Sequence, residues 1–127
     1  MKFKLFQSSC LVATLFVWWA AEAAAQYADW KHSGSVMVLT TRDGADLPAS
    51  ASVENFPLLL RLNSEFFDFS EAQPQGDDLR VSSADGRPLA YQIEDWDAVA
   101  GMASIWVRVP KIIGNARQAI KLHWGKA

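Results

Sequence analysis

Six carboxylates sit where this sequence marks turns and strand ends, and they are the first residues to weigh for chemistry. Glu94, Asp95 and Asp97 surround Trp96, while Asp77, Asp78 and Asp85 lie upstream. Oxygen-rich acidic loops suit hard cations, so Asp77, Asp78 and Asp85 are candidate ligands for Ca2+, although their spacing matches no EF-hand loop. The competing expectation is local: Asp85 caps a turn, Asp77 and Asp78 cap the start of a strand, and Asp97 is solvated. A carboxylate pair could also hydrolyse a glycosidic bond, with Glu94 as acid and Asp77 or Asp97 as partner. Against this stands a partly buried Glu94 that pairs with Arg80 or Arg61. His32 and His123 are the only histidines and lie far apart in sequence, with no cysteine nearby, so no zinc cluster is expected. Ser33, Ser35, Ser82 and Ser83 lack a nucleophile-elbow context, and the seven glycines are scattered over turns rather than gathered in a phosphate loop.

Aromatic residues offer a different chemistry. Alternation along the strands puts Trp96 and Trp106 on an outward face. An exposed indole presents a flat apolar surface to the axial hydrogens of a sugar ring. Trp96, Trp106, Glu94 and Arg80 therefore form the candidate ligand-binding set, with packing beneath the Phe66–Ser70 loop as the alternative for the tryptophans. Trp30 and Trp124 are expected in the core.

The elements that must hold these residues read as short strands between turn signals. Ser35 to Thr41, Pro57 to Asn63, Leu79 to Ser83, Leu89 to Trp96, Ala103 to Val109 and Ala119 to Trp124 are rich in β-branched or alternating apolar residues. Asp43-Gly44, Asp85-Gly86 and Gly114-Asn115 punctuate them, and Pro110 is expected to end the fifth strand. Leu58, Leu60 and Leu62 share one face; Ala103, Ile105, Val107 and Val109 share another; Ile120, Leu122 and Trp124 point inward, with Lys121 and His123 outward. Between Ser64 and Asp78, three phenylalanines (Phe66, Phe67 and Phe69) are expected to plug one end of the core. Six strands with frequent turns and no amphipathic helix predict an all-β fold, an antiparallel β-sandwich of jelly-roll-like or immunoglobulin-like type.

Residues 1–25 carry the marks of an export signal: Lys2 and Lys4, an apolar run from Leu11 to Ala21, and small residues at Ala23 and Ala25 before a cleavage point at Gln26. The mature protein is then a single β-sandwich domain, residues 26–127, located in the periplasm or outside the cell. The one cysteine, Cys10, leaves with the leader, so packing rather than disulfides must stabilise the domain. The mature stretch keeps ten basic and thirteen acidic residues with no basic run, which makes nucleic acid a poor partner. It holds no second apolar span, so no membrane crossing is expected of it.

Several pieces in order resemble a bacterial family known as domain of unknown function 2341. They are Trp30, VENFPLLLRL at Val53–Leu62, FDFS at Phe67–Ser70, GDDLRV at Gly76–Val81, ADG at Ala84–Gly86, LAYQIEDW at Leu89–Trp96, ASIWVRVP at Ala103–Pro110 and LHWG at Leu122–Gly125. The resemblance implies an exported β-rich module rather than an activity. Its members often neighbour concanavalin A-like (LamG-type) domains or MotA/TolQ/ExbB-type proton-channel domains. The leading expectation is a non-enzymatic module that recognises a glycan or a cell-envelope protein. The alternatives are an extracytoplasmic docking domain of a biopolymer transport assembly and a small glycan hydrolase.

Overall fold

The computed structural model describes residues 26–127. The leader read at residues 1–25 lies outside the described residues. Six strands form: β1 (His32–Leu39), β2 (Ser52–Asn63), β3 (Arg80–Ser83), β4 (Tyr91–Asp97), β5 (Met102–Ile113) and β6 (Arg117–Trp124). They make two antiparallel three-stranded sheets, ordered β1-β6-β3 and β2-β5-β4. The only helical element among the described residues is a single 3-10 turn at Phe69–Glu71, capped by the Asp68 carboxylate accepting from Ser70 N.

The layers meet through the alternation read from the sequence. Leu60 and Leu62 of β2, Ile105, Val107 and Val109 of β5, and Ile120 and Leu122 of β6 are all buried between the sheets. Burying such side chains supplies about 1.5–3 kcal/mol each, which is how a domain this small holds together without a crosslink. β5 and β6 are the middle strands of their respective sheets, so the turn at Gly114–Ala116 carries the chain from one layer to the other.

Three sequence expectations need correction here. Pro110 does not end β5, which runs on to Ile113. β4 pairs with β5 only as far as Val107, so Pro110 has a neighbour on one side alone, and the residue facing it, Asn55, is itself skipped by the β2–β5 ladder, with φ 51°. A missing N–H is tolerated where no ladder bond is required. Likewise, β2 begins at Ser52 and runs through Pro57, because β2 is an edge strand. Finally, Phe67 and Phe69 plug the core, but Phe66 is 65 % exposed. Phe67 and Phe69 stack edge-on at 5.0 Å, leaving the intervening Asp68 and preceding Phe66 turned outward.

Candidate functional site

The outer face of the β2-β5-β4 sheet carries an indole at its centre. Trp106 sits mid-way along the central strand, opposite Leu59 of β2 and Gln92 of β4. It is 39 % exposed, as the alternation of β5 requires: Ala103, Ile105, Val107 and Val109 are buried, while Ser104, Trp106 and Arg108 face out. Arg108 is the next outward residue along β5, and Arg61 is diagonal to Trp106 across β2. Neither guanidinium makes a hydrogen bond or ion pair among the described residues. Asp95 lies opposite Ser104 on the far strand.

Trp96 does not join this face. Register with β5 slips between Ile93 and Asp95, so Glu94 is the extra residue of a β-bulge. One inserted residue turns every later side chain to the opposite face. Trp96 therefore pairs with inward-facing Ala103 instead of exposed Met102, and its ring packs edge-on against Phe67 at 5.9 Å and Phe69 at 5.3 Å. Glu94 is exposed and pairs with neither Arg80 nor Arg61, contrary to the expected ion pair.

Arg80 belongs to the other sheet and is occupied there. Its Nη1 donates to the carbonyl oxygens of Asp77 (3.0 Å) and Leu79 (2.6 Å), and its guanidinium lies 5.6 Å from the Trp30 ring. Trp30, expected in the core, instead forms a half-buried cap on this end of the sandwich, with the Lys126 ammonium 4.4 Å from its ring. Its Nε1 donates to the Asp78 carbonyl at 2.6 Å. Trp124 meets the expectation better, packing against the core and against Phe67.

The three acids proposed as cation ligands are each engaged differently. Asp78 is buried, and its carboxylate accepts from the backbone N–H groups of Gln73 (2.9 Å), Gly125 (2.6 Å) and Lys126 (3.1 Å). Asp85 accepts from Ser83 Oγ and pairs with Arg87 at 3.1 Å; these partners, the Ser83 hydrogen bond first, hold its carboxyl below the usual range. Asp77 is exposed. No group of three His, Cys, Asp or Glu residues capable of holding a metal occurs among the described residues.

Sequence reasoning missed one polar pair. His123 points to the outer face of its sheet as expected, yet it is only 8 % exposed, because Tyr27 stacks on its ring at 3.9 Å with the planes 4° apart. Its Nε2 lies 2.9 Å from Ser82 Oγ. The register Arg80↔His123 and Ser82↔Lys121 makes Ser82 and His123 diagonal neighbours, a proximity no single-strand pattern reveals. Ser82 is fully buried, so this pair is closed to substrate and acts as a packing contact.

Burial pushes the His123 imidazole below its ordinary value of 6.5, and the nearby Lys121 charge adds to the effect. A histidine with a depressed folded-state pKa contributes stability above its unfolded value and loses it as pH falls through the folded value. The urea midpoint is therefore expected to hold above about pH 6.5 and to decline below it. His123→Gln should flatten the curve in that window. Parallel declines in both proteins would remove His123 as the cause.

Comparison with curated proteins and with solved structures found no match. The N-terminal pieces of the resemblance, Trp30, Val53–Leu62 and Phe67–Ser70, lie outside the stretch that a family profile covers. That stretch, residues 75–127, matches the model of the family described as Domain of unknown function (DUF2341), and it spans β3 to β6 with their turns.

Proposed function

We propose that this protein is an exported, non-enzymatic β-sandwich module that recognises a glycan or cell-envelope ligand on the outer face of the β2-β5-β4 sheet. The observation that carries this reading is Trp106, held partly exposed at the centre of a three-stranded face. Its strand is paired on both sides, so the direction in which the side chain leaves the sheet is fixed before any ligand arrives. Gln92 beside it and Arg108 beyond it supply hydrogen-bond donors around the apolar platform, the arrangement that suits a ring with one apolar face and a polar rim. The pattern at residues 1–25 supports export.

A glycan array probed with the purified protein tests the proposal. Trp106→Ala should weaken binding at least tenfold, about 1.4 kcal/mol, while thermal stability moves by only a few degrees, since the ring is not part of the core. Failure of the unmodified protein to retain any glycan, or equal retention by Trp106→Ala, would count against sugar recognition.

A further inference from the structure

The two sheets are open along one side. β1 and β2 are the edge strands there, and a cleft of about 440 Å³ runs between them. Its walls include Val36, Val38, Leu58, Leu60 and Leu62. Val36, Val38 and Leu58 are only half-buried although they share the inner faces with fully buried residues such as Ile105 and Val107. Phe66 extends the apolar lining and is largely exposed. Both flanking strands have one partner each. Among the described residues, the backbone groups of Ser33–Val38 and Leu58–Leu62 find no hydrogen bonds beyond those to β6 and β5.

Edge strands are normally blunted by proline, bulges or charge. The first half of β2 is blunted in this way, by Pro57 and by Asn55 at φ 51°. The second half, Leu58–Asn63, has no proline, and its one charge is Arg61. Arg61 is also the only charged residue lining the cleft.

We propose that this cleft is an acceptor for an extended segment of another polypeptide. The segment pairs with the free edge of β2 over Leu58–Asn63, lowers alternate apolar side chains between Val36, Val38 and Leu60, and places a carboxylate across from Arg61. A strand answers three features at once. Its backbone meets the unpaired edge, and its twofold side-chain period matches one apolar wall and one polar face. Its acid completes a cross-strand pair with the lone guanidinium. An acyl chain would fill the apolar volume but leave the edge unpaired. This inference does not rest on the glycan reading, although Arg61 borders the outer face that carries Trp106.

The test uses a capped nine-residue peptide of alternating threonine and valine with glutamate replacing the central threonine, and its lysine counterpart. The glutamate peptide should slow hydrogen exchange at the Leu58–Asn63 amides that face away from β5 and bind about fivefold tighter than the lysine peptide, a cross-strand charge effect of about 1 kcal/mol. Arg61→Glu, an exposed substitution that the fold tolerates, should reverse the preference. Any of four results would overturn the proposal: unprotected amides at millimolar peptide, equal affinity for the two peptides, protection that grows with protein concentration in the absence of peptide, or protection by decanoate in place of the peptide. The third would point to a second copy as occupant, and the fourth to an acyl chain.

Discussion

Asp78→Ala is expected to destabilise the domain by about 4 kcal/mol, which lowers the melting temperature of a chain this size by more than 15 °C. The carboxylate accepts three backbone N–H groups from two separate segments, the loop at Gln73 and the chain after β6 at Gly125 and Lys126. Hydrogen bonds to a charged acceptor contribute about 1.5–3 kcal/mol each, and donors left buried without a partner add a penalty of their own. Partial access of water to this end of the molecule keeps the total below the simple sum. Asp78→Asn should cost roughly half as much, because the amide keeps one accepting oxygen and loses the charge. Urea titration of the three proteins checks the ranking. A shift under 1 kcal/mol for the alanine variant would mean that the contacts at Asp78 do not hold this end together.

A second large effect is expected at Gly76→Ala. Gly76 has φ +73°, a conformation costly for a residue with a side chain, and a Cβ placed there would stand 2.7 Å from two atoms of the Trp96 ring. The indole is held from its other sides by Phe67 and Phe69, so it has little room to retreat. Backbone strain and the clash together should cost about 3 kcal/mol. Trp96→Ala removes the same packing from the opposite side and should cost a similar amount. The double variant Gly76→Ala/Trp96→Phe separates the two causes. The smaller ring relieves the clash, so about 1 kcal/mol should be recovered relative to the sum of Gly76→Ala and Trp96→Phe alone. Strict additivity in thermal or urea unfolding would show that the ring and the glycine are not coupled.

Trp96 and Trp106 thus separate in their expected behaviour, one governing stability and the other recognition. That separation marks the limit of what could be read without the fold. Simple alternation placed both indoles on the same outward face, and it was right wherever pairing is continuous: Leu60 and Leu62, Ile105 through Val109, Ile120 and Leu122 all face as expected. It failed after Glu94, because a bulge is a property of two strands in register and leaves little trace in one. The same reason applies at Pro110 and Pro57, whose tolerance depends on which side of the strand has a neighbour. His123 was legible in direction but not in burial, since only the fold brings Tyr27 across it. Sequence spacing alone makes Asp78 a strand cap or a cation ligand. It is instead a buried acceptor for distant backbone donors, and sequence spacing carries no information about donors 47 and 48 residues away.

Asp78 also meets the other end of the domain, since the Trp30 indole bonds to its carbonyl, and the first residue of β1, His32, lies directly across from the last residue of β6, Trp124. A polypeptide joined to either end would therefore enter and leave the sandwich at neighbouring points, so the module would hang from its tether as a pendant and not extend it as a link in a rod. Tension applied between those points would act on β1 and β6 one rung at a time, starting from His32 and Trp124. Such a load peels strands apart like a zipper and does not shear them along their length, which makes this domain a mechanically compliant element.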